Sequence, residues 1–360
     1  MIAARFFYPH AKMTNSPQKV FLDANVVIQE GKEGSPIIER MVDLVDAGLV
    51  SVLTTDLTMT EVAKKHAEND LDLVKDFARP HIRKVLSDVL GAQFPAVTKA
   101  DMKAALRKKH HAVTEQMFKA LKAKILSIDD VKPSDVFAAY ANKEGFFSGE
   151  GKKDQFPDAF IFECLKKLAS AESPIIIVSS DGDYAAPVAA MTNIKLVKTF
   201  AELFAELGLA IEPPDVQGFF EADHDELVSR FDDEVSSWGL QVSDVADAEI
   251  DESTVTEVTL DQFKAFRFVD EEQILVVGYA MVKADVAFTH PDWDTASWDS
   301  EDKIAIPHRD VSGETEVEFE VPFSMSLSVD ESGKPVALDN LSFLDSSFVW
   351  VQIERYETYK

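Results

Sequence analysis

Four short apolar runs in the first half of the chain constrain its fold more than any other feature. They fall at residues 20–22, 49–53, 174–178 and 194–197, and helical patterns separate them. A run that is apolar without alternation is buried on both faces, and such runs interleaved with helices describe a parallel sheet covered by helices. Between the second and third runs lies a long helical stretch, residues 58–142, broken at Arg79-Pro80, Phe94-Pro95 and Lys132-Pro133, because proline removes a helix amide. It is too long for one crossover helix and reads as an insert over about residues 63–150. A last amphipathic helix, residues 199–207, stops at Gly208.

Beyond Glu212-Pro213-Pro214 the pattern changes. Residues 219–238 keep helical spacing and carry many acids, after which apolar residues alternate with polar ones. Val317, Phe319, Val321, Phe323, Met325, Leu327 and Val329 are followed by the turn-forming segment 330–335 and another apolar run, the form of a half-buried hairpin. Pro322, on the opposite side, marks an edge or a bulge. With further strands at 255–269 and 274–288, this region reads as an antiparallel sheet or sandwich. The expected organisation is therefore an α/β domain over 1–212 and an acidic, β-rich domain over 213–360. With 46% of 360 residues hydrophobic, each can bury a core.

The charge is divided the same way. Residues 1–212 hold 27 Lys+Arg and 29 Asp+Glu, a net of −2, and residues 213–360 hold 9 and 35, a net of −26. The repulsion toward nucleic acid implied by the overall charge of −28 thus belongs almost entirely to the second region.

Acids stand where a parallel sheet would gather them. Asp23 closes the first run and Asp181 a later one, and ligand crevices in open α/β sheets lie outside the carboxyl ends of the strands. Glu61 follows the second run, and Asp158 opens the helix leading into the third. Structural roles exist for three of them. Thr58 and Glu61 have capping-box spacing, Asp158 beside Pro157 suits a first helical turn, and Asp181 and Asp183 suit a turn after a strand. Asp23, between two apolar runs, has no such role. Clustered carboxylates without neutralising bases persist mainly around a divalent cation, and hard oxygen ligands without cysteine or a histidine pair select Mg²⁺ or Mn²⁺. Such a site binds phosphate and activates water.

The order and context of these acids resemble the PIN-domain nuclease family. The motifs are VFLDANVVI at residues 20–28, TEV at 60–62, DAFI at 158–161 and VSSDGDY at 178–184. The resemblance covers about residues 18–205, and the long insert is similar to the larger PIN-like branch. It implies a three-layer α/β/α fold, Mg²⁺ or Mn²⁺, and hydrolysis of RNA. It also implies that Asp23, Glu61, Asp158 and Asp181 form the metal-binding set, with Asn25 and Ser179 as supporting polar residues and Asp183 as an auxiliary acid. Asp154, one turn before Asp158, competes for the third position. A haloacid-dehalogenase-like phosphohydrolase also places an Asp at a strand end, but its general acid two residues later is here Asn25. A PIN-like regulator that binds RNA or protein without turnover is the non-enzymatic alternative.

Residues 99–124 carry a local net charge of +6. Lys103, Arg107, Lys108 and Lys109 in this stretch are candidates for gripping an RNA backbone. The competing reading is a solvated helix face, with Ala104, Leu106, Val113, Met117, Leu121 and Ile125 turned inward. Adjacent His110 and His111 point to different helix faces and do not form a metal pair. The acidic region reads as a protein- or ligand-binding module, an electrostatic mimic or a solubilising scaffold, and its segment 290–302, with Trp293 and Trp298, as a ligand-pocket lining or an ordinary acidic loop. The single cysteine, Cys164, sits in an apolar run as a core residue, so no disulfide is required. No run of about 18 apolar residues suggests a membrane span. Residues 1–13 do not read as a signal peptide, Met13 is placed to serve as the start, and the expected location is the cytoplasm.

Overall fold

A computed structural model describes residues 16–31, 34–148, 155–211, 214–267, 273–299, 304–344 and 348–353. The chain divides into two compact units, Met1–Leu209 and Ala210–Lys360. The N-terminal stretch weighed as a leader, residues 1–13, lies outside the described residues.

The first unit runs β1 (Gln18–Leu22), α1 (Ala24–Glu30), α2 (Pro36–Asp46), β2 (Val50–Thr55), α3 (Asp56–Val74), α4 (Pro80–Leu90), α5 (Lys99–Ala120), β3 (Lys124–Leu126), α6 (Pro133–Asn142), α7 (Phe156–Leu168), β4 (Ile175–Val178), α8 (Ala185–Ala189), β5 (Ile194–Val197) and α9 (Phe200–Glu206). Its five strands are all parallel, in the order β3-β2-β1-β4-β5. Alternate residues of the central strands serve opposite layers. Phe21, Leu53, Ile175 and Ile177 pack with Ile161, Phe162 and Leu165 of α7 and Val136 of α6. Val20, Leu22, Val52, Ile176 and Val178 are buried on the other face, where α2 packs on β2 and α9 on β4 and β5. The expected α/β/α arrangement is present. Both faces are covered, which is why Val20–Leu22 of β1 and the whole of β4 are uninterrupted apolar residues.

The helical stretch expected over residues 58–142 requires one correction. The proline breaks stand, since Pro80 and Pro133 each open a helix. At the end of α5, however, Lys122 takes a left-handed φ of 45° and turns the chain into β3, which pairs with β2 as the sheet's edge. Three residues are too few for a periodic signal. Within the insert, Arg83 holds α4 in place by donating from Nη1 to the carbonyls of Phe77, Ala78 and Val97 at 2.6, 2.8 and 3.2 Å.

The second unit runs β6 (Ala210–Ile211), α10 (Pro214–Ala222), α11 (His224–Trp238), β7 (Leu240–Val242), β8 (Glu249–Arg267), β9 (Gln273–Pro291), β10 (Ser297–Asp299), β11 (Ile304–Ile306), β12 (Asp310–Val329), β13 (Pro335–Phe343) and β14 (Val349–Val351). Its main sheet is antiparallel, ordered β13-β12-β9-β8-β6. Phe231 and Val235 of α11, Phe220 of α10, and Leu240, Val349 and Val351 of a small parallel pair, β7 with β14, join the sheet's core, so helices and a two-stranded sheet cover it. The hairpin of β12 and β13 forms as the alternation indicates. Pro322 sits where that pairing ends, and its carbonyl accepts the Leu344 N–H at 2.8 Å just past β13. Proline is tolerated there because β12 is paired only with β9 from that point back.

Candidate active site

Strand order reverses at β1, whose neighbours β2 and β4 carry the chain to opposite sides of the sheet. This is the switch point where open α/β sheets open a crevice past their carboxyl ends. Leu22 is in register with Val178, so the next residues, Asp23 and Ser179, emerge side by side. The Asp23 N–H donates to the Val178 carbonyl at 3.1 Å, which fixes the junction.

Asp23 is 5% exposed. Its Oδ1 accepts the Ala24 N–H at 2.9 Å, capping α1, and its Oδ2 accepts the Ser179 hydroxyl at 2.6 Å. Burial raises its carboxyl to about 6, against the opposing pull of those two bonds, and the charges of Glu61 and Asp181 raise it as well. Ser179, fully buried, accepts in turn from the Asn25 side-chain amide at 3.3 Å and from the Asp181 N–H at 3.1 Å. The Asn25 Oδ1 accepts the Ser180 N–H at 3.4 Å, completing a lock between the ends of β1 and β4. Asp181 caps the short 3₁₀ turn Gly182–Tyr184, its Oδ1 accepting the Asp183 N–H at 2.8 Å.

Glu61 is not a capping residue. The N-cap of α3 is Thr55, whose hydroxyl oxygen accepts the Thr58 N–H at 3.0 Å, and the Thr55 and Thr58 hydroxyls are bonded at 2.8 Å. The Thr58–Glu61 capping box is therefore overturned. Glu61 stands exposed in the second turn, where its charge acts on Asp23 and Asp158. Asp158 lies in the first turn of α7 after Pro157. Burial raises its carboxyl to about 7, followed by the charges of Asp23, Asp181, Glu61 and Asp183. Asp154, the rival for its place, lies outside the described residues.

The five acids thus share one electrostatic neighbourhood. Among the described residues no lysine or arginine forms an ion pair with Asp23, Glu61, Asp158 or Asp181. Nor, among those residues, is any group of three or more His, Cys, Asp or Glu side chains already closed around a point that would hold a metal ion. The donor set is all hard oxygen and, for Asp23, Glu61, Asp158 and Asp181, no balancing cation stands among the described residues, the chemistry that hard divalent cations prefer.

One further residue belongs to this neighbourhood. Tyr184, at the end of the VSSDGDY motif, is fully buried, and its hydroxyl has no hydrogen-bond partner among the described residues. Burial, and then the charges of Asp23, Asp158, Asp181 and Glu61, hold that phenol well above its ordinary range. A tyrosine after Asp-Gly-Asp reads as a turn residue, and nothing local in the sequence reveals where its hydroxyl goes.

Fold and site together define an α/β domain with an acidic centre at its switch point. A family model described as PIN domain matches residues 20–184, and this chain carries a PIN domain over that span. No curated protein and no solved structure matches the chain. The second unit lies outside the family match.

The basic candidates sit on α5. Lys103, Arg107, Lys108 and Lys109 are all exposed, and Lys109 pairs with Asp70 of α3 at 3.2 Å. The inward seam expected of this segment holds in part: Met117 and Leu121 are buried, Leu106 and Val113 are half-buried, and Ala104 and Ile125 are exposed. His110 is buried against Asp70 at 2.7 Å and His111 is exposed, so the two do point apart. Cys164 is a buried free thiol. In the second unit Trp293 and Trp298 are 39% and 67% exposed, which does not fit a pocket lining, and Asp302 lies outside the described residues. No helix among the described residues is long and apolar enough to cross a membrane.

Proposed function

We propose that the PIN domain is a metal-dependent endoribonuclease that hydrolyses RNA phosphodiester bonds. The observation carrying this reading is that Asp23 and Asp181 emerge at the carboxyl ends of adjacent strands and that Asp158 is raised to about 7 by burial first and then by the charges of Asp23, Asp181, Glu61 and Asp183. Such an arrangement costs stability at neutral pH and is favourable once a divalent cation neutralises it. Asp23, Glu61, Asp158 and Asp181 would hold Mg²⁺ or Mn²⁺, with Asp183 as an auxiliary acid. The bound ion supplies charge for the scissile phosphate and lowers the pKa of a water.

The chain's own residues prepare that centre. Ser179 fixes Asp23 by a short hydrogen bond, and Asn25 fixes Ser179, so the first acid is oriented before any ligand arrives. Lys103, Arg107 and Lys108, without an ion pair among the described residues, offer positive charge for the RNA backbone, while Lys109 is shared with Asp70. Asn25 also argues against haloacid-dehalogenase chemistry. It stands where that chemistry needs a carboxylic acid, and its amide is engaged with Ser179 and Ser180. The acidic second unit serves as a module for a protein or ligand partner. Its β12 presents Glu314, Glu316, Glu318 and Glu320, all exposed, on one face of the strand.

The test is cleavage of varied RNA pools with Mn²⁺ or Mg²⁺ by the wild type, Asp23→Asn and Asp181→Asn. Cleavage by the wild type and loss in both variants is expected. Cleavage that survives both substitutions would overturn the assignment, and RNA binding without cleavage in the wild type would make the domain a non-catalytic regulator. A phosphoryl group trapped on Asp23 would restore the phosphohydrolase reading.

A further inference from the structure

The main sheet of the second unit packs one face and leaves part of the other open. On β12, Val317, Phe319 and Val321 belong to the core that Phe231 and Val235 of α11 join, while Glu314, Glu316, Glu318 and Glu320 alternate with them and are exposed. The pairing register carries this open face across β9 and β8. Glu320 lies beside Met281 and Thr259, Glu318 beside Lys283 and Glu257, and Glu316 beside Asp285 and Thr254. Lys283 is the base in these rows, and its Nζ is bonded to Glu257 at 2.5 Å. Glu316 and Asp285 stand directly opposite each other, a like-charge pair of the kind that destabilises a sheet. A face three strands wide that keeps such pairs is complementary to a rod of positive charge.

The chain itself carries such a rod. On α5, Lys103 and Arg107 lie one turn apart with Lys108 beside them, and all three are exposed, without an ion pair among the described residues. Ala100 and Ala104, also exposed, fall on the same stripe and let a facing surface come close. Cations one turn apart recur about every 6 Å along a helix, and acids at alternate positions about every 6.8 Å along a strand, so several contacts stay in step. A helix laid on the open face of a sheet is also an ordinary way to complete a layer.

We propose that the open acidic face of β8, β9 and β12 receives the basic helix α5 of a second copy of this chain, so that one copy covers the helix with which the other would grip RNA. The inference rests on the reading of the second unit as a partner-binding module and names its partner; the competition with RNA rests on the reading of α5 as the backbone-gripping helix. The overall charge of −28 does not forbid the contact. Residues 1–212, which include α5, hold a net of only −2, and at physiological ionic strength charges beyond about 8 Å are largely screened, so facing charges decide.

The experiment is sedimentation velocity on the full chain, at low salt and in about 1 M salt, where screening acts within about 3 Å. The wild type should self-associate at low salt and dissociate at high salt. One variant reverses the helix, with Lys103→Glu, Arg107→Glu and Lys108→Glu, and the other reverses the sheet, with Glu314→Lys, Glu316→Lys and Glu320→Lys, all at exposed positions. Glu318 is kept because Lys283 stands opposite it. Each variant alone sets like charge against like and should be monomeric, whereas an equimolar mixture restores opposite signs at the contact and should associate again. Circular dichroism establishes that both variants fold, and Gln at the same helix positions, a milder change, should weaken association about tenfold. A wild type that is monomeric at low salt, association that persists in either charge-reversed variant alone, a mixture of folded variants that stays monomeric, or unchanged association in the Gln variant would overturn the inference. Single-stranded RNA added to the wild type should release monomers, and RNA bound without dissociation would overturn the competition. Absence of RNA binding by the dilute, monomeric chain would overturn the RNA reading and leave the association standing.

Discussion

The Ser179 hydroxyl donates to the Asp23 carboxylate at 2.6 Å, joining residues 156 positions apart in the chain at the carboxyl ends of adjacent strands. That bond lowers an acid which burial pushes up to about 6. Ser179→Ala removes it, so Asp23 should titrate at higher pH than in the wild type. The acid limb of the pH profile of kcat/KM should move to higher pH. The lost buried hydrogen bond should cost about 1–3 kcal/mol of stability at neutral pH. A pH–rate profile and a urea melt check the two parts.

Asp158 gives a prediction of opposite sign. Its carboxyl is raised from an ordinary 3.8 to about 7 in the folded chain. Between those values the unfolded state has lost its proton and the folded state has not. Folding stability therefore falls as pH rises through the window, and the full cost is present above about pH 7. Asp158→Asn should abolish cleavage while stabilising the cation-free protein by about 2–4 kcal/mol at pH 8, with little effect at pH 4. Thermal unfolding in chelator at the two pH values is the measurement.

Cap and site separate at the start of α3. Thr55 caps the helix and bonds to Thr58, and Glu61 caps nothing. Thr55→Ala should lower stability by about 1–2 kcal/mol. Glu61→Gln should leave the melting temperature in chelator unchanged or raised while reducing Mn²⁺-dependent cleavage. Circular dichroism melts beside the cleavage assay distinguish the two.

Much of this arrangement was legible in the sequence, and the reasons are physical. The three central strands of the first unit, β2, β1 and β4, are covered on both faces and appear as short, largely apolar runs, as does the edge strand β5, whereas β3, at the other edge and three residues long, is hidden by the helices around it. Asp23 was legible because neither cap nor turn chemistry was apparent around it; it does cap α1, but with a carboxylate that also faces other acids. Glu61 was ambiguous because Thr58 supplies the capping-box spacing, and only the backbone places the true cap three residues earlier. Tyr184 was not legible at all, since its environment is assembled from α7 and the turn before Phe147.

Salt dependence tests the basic helix. Replacing Lys103, Arg107 and Lys108 with Gln removes three exposed charges that have no ion pair among the described residues. If these residues grip single-stranded RNA, affinity should fall, and the slope of log K against log salt should flatten by about 2, roughly 0.7 per phosphate contact. Lys109→Gln, which also breaks the pair with Asp70, should add less. Filter binding at several salt concentrations gives the slope.

The most direct measurement is anomalous X-ray diffraction from crystals grown with Mn²⁺. An ion bound by carboxylate oxygens of Asp23, Asp158 and Asp181 at about 2.2 Å, a distance typical of hard cations of this size, is the predicted result. Saturating Mn²⁺ with no anomalous peak between the ends of β1 and β4, or with a peak only at other acids, would contradict a metal-dependent nuclease centre in this domain.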